Sequence, residues 1–118
     1  MRILLVEDDE MNIEMFDAAL AVDGHEIVVE RDGVAGEKRA SEEFDLILLD
    51  IQLPKRNGLE VCRNLRSRGV TVPILALSAS VLPEEVARTK EAGFDVFLPK
   101  PISPSALRTA VRRVATAA

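Results

Sequence analysis

The sequence predicts an α/β domain: a doubly wound, five-stranded parallel sheet of order 2-1-3-4-5 with five helices. Three observations predict it. Five short apolar runs alternate with five amphipathic stretches, which is the strand–helix alternation of a parallel sheet. Runs one, three and four are continuous and aliphatic, as in strands covered on both faces. Right-handed crossovers then distribute the helices over both faces and leave a switch point between strands one and three.

The first run, Ile3–Val6, is followed by a helix in which Met11, Met15, Ala18, Ala19 and Val22 recur at three and four, stopped by Gly24. Ile27–Val29 is the second run, and Val34–Ala40 forms a short helix after the Asp32-Gly33 turn. The third run, Leu46–Leu49, leads to a helix that starts at Asn57-Gly58, carries Leu59, Cys62 and Leu65, and stops at Gly69. Ile74–Leu77 is the fourth run. Pro83-Glu84-Glu85 opens the next helix, with proline at its start and acids in its first turn, and Gly93 ends it. Val96–Leu98 is the fifth run. The last helix opens at Ser103-Pro104-Ser105 and carries Arg108, Arg112 and Arg113 toward its C-terminal half, where cations suit the dipole.

Length and composition narrow the function. At 118 residues the chain has room for one domain, residues 1–118. Twenty acids against 15 bases argue against a nucleic-acid binder, which needs a basic patch to neutralise phosphates. With no Trp or Tyr and four Phe, there is no stacking platform for single strands. One cysteine, Cys62, offers neither a disulfide framework nor a cysteine metal site, so a reducing cytoplasm is the expected location. The N-terminal apolar run is too short for a signal peptide or a membrane span.

Ligands of such sheets sit at the C-terminal ends of the strands. Strand one ends in Glu7-Asp8-Asp9-Glu10, strand three in Asp50, strand four in Ser78 and strand five in Lys100-Pro101. Acids at Glu7–Glu10 also suit the first turn of a helix, so alone they decide little. With Asp50 on the neighbouring strand, Glu7, Asp8 and Asp50 form a group of carboxylates that repel unless a cation joins them. Mg²⁺ suits that donor set. A strand-end Asp can act as a nucleophile and form an aspartyl-phosphate. Lys100 would supply positive charge to the phosphoryl group and Ser78 a hydroxyl donor. The residue before proline is pushed out of the helical region, which would project Lys100 over the site, and the X–Pro bond there is a candidate for the cis form.

These motifs resemble the receiver domain of bacterial two-component response regulators, whose fold is the CheY-like form of the flavodoxin-like sheet. The matching segments are Ile3-Leu4-Leu5-Val6-Glu7-Asp8-Asp9, Leu48–Pro54 with Asn57-Gly58-Leu59-Glu60, Leu77-Ser78-Ala79 and Leu98-Pro99-Lys100-Pro101. Val6–Asn12, Asp50–Pro54 and Lys100–Ser103 look most like the single-domain DivK-type regulators of cell division and polarity. The resemblance implies that Asp50 accepts a phosphoryl group from phosphohistidine on a histidine kinase or histidine phosphotransferase. It implies Asp8 as a direct Mg²⁺ ligand, Glu7 as a ligand through water, and the Gln52 backbone carbonyl as a further ligand. Lys100 would pair with the phosphoryl group, Ser78 would be the switch hydroxyl and Phe97 the switch aromatic. Gln52 and Ser80 would tune the phosphoryl lifetime. Two positions depart from the commoner pattern: Ser78 stands for Thr, and Phe97 for Tyr, which removes a hydroxyl contact with partners.

The implied output is protein binding, on a face made of the fourth helix, fifth strand and fifth helix. It would present Val86, Ala87, Lys90, Phe97, Pro99 and Ile102 to a downstream partner. Such a domain promotes only its own phosphorylation and dephosphorylation and is no enzyme toward other substrates. Met1 directly before strand one reads as a natural start, while a receiver cut from a hybrid kinase or multidomain regulator remains the alternative. A haloacid-dehalogenase-type phosphatase would want a second Asp where Gln52 stands, and a cap domain. An FMN carrier would want a hydroxyl- or glycine-rich loop where the acids stand. The remaining features read as structural: His25 as a surface turn residue, Cys62 as a packed side chain, Met11 and Met15 as core or partner-facing, and Lys55, Arg56, Arg63, Arg66 and Arg68 as a solvated basic face.

Overall fold

A computed structural model describes residues 1–116. The elements run β1 (Arg2–Val6), α1 (Glu10–Ala21), β2 (Glu26–Glu30), α2 (Gly33–Arg39), β3 (Leu46–Asp50), α3 (Gly58–Ser67), β4 (Ile74–Ser78), α4 (Pro83–Ala92), β5 (Val96–Pro99) and α5 (Pro104–Thr116). All strands are parallel and their order is β2-β1-β3-β4-β5. The aliphatic strands β3 and β4 are buried along their whole length, whereas β2 and β5 stand half-open at the edges. This is the physical basis of their composition: a central strand meets helices on both faces, so both alternating sets of its side chains are apolar.

The alternation divides the interior into two cores. Leu4, Val6, Ile47, Leu49, Ile74 and Ala76 point to one face and pack with Phe44, Val61, Cys62, Leu65, Ala92 and Phe94. Ile3, Leu5, Leu46, Leu48, Leu75 and Leu77 point to the other and pack with Phe16 and Leu20 of α1 and Leu107 and Val111 of α5. Truncating a fully buried leucine such as Leu48 to alanine typically costs about 2–5 kcal/mol. Cys62 is completely buried in the first core, and burial pushes its thiol up to about 11.

Helix starts follow the caps written in the sequence. Asp9, Asp32 and Asn57 each accept a backbone N–H of the first turn of α1, α2 and α3. Proline opens α4, and Gly93, with φ 108°, closes it in the left-handed form.

Three expectations need correction. The buried face of α1 is Ile13, Phe16, Ala19 and Leu20 rather than the Met11–Val22 series. Met11 and Val22 are exposed and Met15 is only half-buried. Ile102 is in the core beneath α5, not on the outer face. The basic residues around α3 are a solvated face only at Lys55 and Arg63, which are exposed; the other three are engaged. Arg56 and Arg68 pair with buried Glu37. Arg66 donates to the carbonyls of Val70, Val72 and Gly93 and pairs with Asp95 at 2.8 Å. That guanidinium ties the end of α3 to the end of α4 and to the entry of β4, where Asp95 also accepts the Ile74 N–H.

Arg66→Ala is therefore expected to lower unfolding free energy by about 2–3 kcal/mol, since it takes the guanidinium from three partly buried carbonyls. Exposed Arg63→Ala should stay within about 0.5 kcal/mol of wild type. Chemical denaturation of the two variants side by side checks this, and equal effects would contradict the clamp.

Candidate functional site

The strand ends meet because the register brings them level. Val6 lies opposite Leu49, Asp50 opposite Leu77, and Ser78 opposite Pro99. Glu7 and Lys100, each one residue beyond its strand, therefore flank Asp50 on the two sides of β3.

Lys100 Nζ lies 2.6 Å from Glu7 Oε1 and 2.7 Å from Asp50 Oδ2. Glu7 is fully buried. Its Oε2 accepts the Asp8 and Asp9 N–H groups at 3.0 and 3.3 Å, and its Oε1 also accepts Asn12 Nδ2 at 3.2 Å. Asp50 Oδ1 accepts the Gln52 N–H at 3.0 Å, and the Asp50 side chain is 5% exposed. Lys100 is held in turn by its own N–H, which donates to Ser78 O at 2.7 Å, and the bond to Pro101 is cis. Carboxylate oxygens of Glu7, Asp8 and Asp50 lie within 4.8 Å of one another, with Asp8 the exposed member.

Charge at this site is unbalanced: three carboxylates face one ammonium. Burial and the adjoining Asp50 carboxyl push Glu7 above the usual carboxylate range, against the opposing pull of Lys100. Burial also works against the Lys100 charge, but Asp50 and Glu7 outweigh it and hold the ammonium above its ordinary value. The cluster offers hard oxygen donors, one of them open to solvent, and thus fits a divalent cation such as Mg²⁺.

The segment between Asp50 and α3, residues 51–57, folds back on itself. Gly58 N–H donates to Ile51 O at its base, and Arg56 N–H donates to Pro54 O at its tip. Between those tip residues Lys55 has φ 68°, a left-handed conformation that costs a non-glycine residue about 1–3 kcal/mol. Gln52 projects from this segment and is exposed.

Of the other predicted residues, Ser78 is buried and its hydroxyl is turned to the loop beyond β4. It accepts the Ser80 N–H at 3.1 Å and donates to Ser80 O at 3.3 Å. Phe97 lies half-buried in the register position beside Ala76 and packs on the core under α3 and α4. Asn12, which donates to Glu7, carries no motif of its own in the sequence. Its signal is only its place in the first turn of α1, five residues after Glu7.

A family model, response regulator receiver domain, matches residues 3–112. The chain belongs to this family. The receiver is 40% identical over 113 residues to the response regulator protein PmrA of Pseudomonas aeruginosa, covering 95% of this chain and 51% of that one. The chain thus spans about half the length of the curated relatives it matches. Among solved structures it is similar to the receiver domain of a Pseudomonas aeruginosa sensor histidine kinase with magnesium coordinated in the active-site cleft: TM-score 0.88, 31% identity, 97% of each chain. It is also similar to the chemotaxis protein CheY4 of Vibrio cholerae, at TM-score 0.89 and 28% identity over 96% of this chain and 97% of that one. The CheY-like sheet expected from the sequence is the sheet observed.

Lys100 lowers the Glu7 pKa that burial raises. In the metal-free receiver, Lys100→Met is therefore expected to move the Glu7 carboxyl further up. A carbon-13 carboxyl titration reads the shift directly, and an unchanged or lower value would contradict the coupling. With the folded value above the unfolded one, the protonated form favours folding at acid pH, and that contribution is lost as pH rises through the folded value.

Proposed function

We propose that this receiver accepts a phosphoryl group from phosphohistidine on Asp50, with Mg²⁺, and converts that event into a change of protein partner. The observation that carries the reading is the Lys100 ammonium on Asp50 Oδ2, beside the carboxylates of Glu7 and Asp8. In the transfer, an Asp50 carboxylate oxygen attacks phosphorus in line with the leaving imidazole. The new P–O bond forms as the P–N bond breaks, and the departing nitrogen keeps the electron pair and takes a proton. Such transfers need positioning and charge stabilisation more than other chemistry. Asp8 and Asp50 would hold the cation directly, with the Gln52 carbonyl completing the protein ligands and Glu7 acting through water. The cation would supply charge neutralisation for the phosphoryl oxygens. Lys100 leaves Glu7 to follow the new negative charge on Asp50.

Phosphorylation adds about −1.5 to −2 charge and three acceptor oxygens near pH 7. Ser78, released from Ser80, donates to one of them, and Phe97 turns into the space it leaves. Two packings of the α4-β5-α5 face are thereby biased. Val86 and Phe97 are half-buried there, while Ala87, Lys90 and Pro99 are exposed, so the face offers both a movable edge and a contact surface. The donor would be a histidine kinase or histidine phosphotransferase in the cytoplasm, the output a protein rather than a nucleic acid or a membrane. The DivK-like segments support a setting in cell division or polarity. A second reading, favoured by the half-length match to PmrA, is that residues 1–118 are the receiver of a longer regulator or hybrid kinase.

Acetyl phosphate with Mg²⁺ should label the wild-type receiver and leave Asp50→Asn unlabelled, as read by intact mass or acid-labile phosphate. Labelling that survives in Asp50→Asn overturns the assignment. Gln52→Ala and Ser80→Ala, which flank the water path to the phosphoryl group, should each change the autodephosphorylation rate. If both decay at the wild-type rate, these residues do not set the lifetime.

A further inference from the structure

Three carboxylates are buried among the described residues, and two of them, Glu7 and Asp50, are in the site. The third is Glu37 on α2, whose side chain is 4% exposed. It accepts Arg56 Nη1 at 3.1 Å and Asn64 Nδ2 at 2.9 Å on Oε1, and Arg68 Nη2 at 2.6 Å on Oε2. Two of these donors lie on or just after α3. Arg56 lies on the segment that leaves Asp50.

Stability alone explains such a group poorly, because a buried ion pair is often matched or exceeded by apolar residues of similar volume. What the pair does supply is a fixed place for Arg56. The tip of the 51–57 segment holds Lys55 in a left-handed turn, a conformation that persists only where the surroundings over-determine it. Those surroundings are the start of α2. Gly33 N–H donates to Pro54 O at 3.1 Å, and Gly33 lies so close to the Arg56 carbonyl that a side chain there would collide with it. Lys55 Nζ lies 3.6 Å from Asp32, but that lysine is 68% exposed and the contact is screened. The buried tie of the tip's side chains to α2 is Arg56 to Glu37. The same segment is fixed at its base by Gly58 on Ile51 and by the Gln52 N–H on Asp50. Gln52 thus lies between the anchored tip and the anchored base, two residues before Pro54.

We propose that Glu37 is a positioning residue. Through Arg56 it holds the 51–57 segment in its strained turn, and so sets where the Gln52 carbonyl stands beside Asp50 and how tightly the site takes a divalent cation. This rests on the metal reading of the preceding section.

The test compares Arg56→Met and Glu37→Gln with Arg68→Met, which breaks the α3 arm of the same carboxylate and leaves the segment's arm intact. Two quantities are read on the full chain: amide hydrogen exchange of Gln52 and Gly58 without metal, and Mg²⁺ affinity by calorimetric titration. Arg56→Met and Glu37→Gln should speed exchange at both amides and weaken Mg²⁺ binding by about tenfold, the lower end of effects seen when supports of metal ligands are removed. Arg68→Met should leave both at their wild-type values. Unchanged exchange and affinity in Arg56→Met and Glu37→Gln would overturn the proposal. So would equal effects in Arg68→Met, which would make Glu37 a general link between α2 and α3. Arg56→Met removes one partly exposed arm and keeps the test decisive if Glu37→Gln does not fold. If wild-type receiver takes no Mg²⁺, the metal reading fails and the affinity arm with it, and exchange alone then decides whether Glu37 holds the segment.

Discussion

One ammonium shared between two buried carboxylates organises the working end of this receiver. Glu7 and Asp50 are like charges at the ends of adjacent strands, and both are removed from water. Lys100 reaches both from the far side of the sheet and, with the N–H groups that donate to each, offsets their repulsion. Everything that places Lys100 serves that contact: the register of β5 on β4, the bond from its N–H to Ser78 O, and the packing of Leu98 and Ile102 beneath α5. The same ammonium is mobile in principle, since a side chain with four methylenes can follow charge. The resting pair is thus a stand-in arrangement, one that a cation and a phosphoryl group are suited to replace.

The rest of the fold is a platform for that edge. The two cores share the backbone of the central strands but no side chains, because successive residues point to opposite faces. Each helix layer can adjust against its own half of the core while the strand ends stay in register. The candidate switch elements follow this division. Ser78 sits at the end of a fully buried strand, while Phe97 lies half-buried on an edge strand.

Much of this was legible in the sequence, for a definite reason. Continuous aliphatic runs can be central strands of a parallel sheet, and residues just past them fall on one edge whatever their separation along the chain. That rule alone collects Glu7, Asp50, Ser78 and Lys100. The rest depends on contacts with no periodic signature. In α1 apolar residues occur on more than one side, so Met11 and Val22 fitted a repeat as well as Phe16 and Leu20 did, and only the docked helix distinguishes them. Arg66, Arg56 and Arg68 look like ordinary surface cations because their partners, three carbonyls and Glu37, lie on other elements. A glutamate one turn into a short helix carries nothing in its neighbours to say that it is buried.

Cys62 is the chain's sole thiol, sealed in the core and held in the protonated form at neutral pH. The folded receiver is therefore chemically silent toward thiol reagents, and with no Trp or Tyr it is nearly silent optically as well. A single cysteine introduced on an exposed position of α4 or α5 would be the one reactive handle on the molecule. It could carry a fluorophore that reports partner binding against an empty background, with the native thiol left in place.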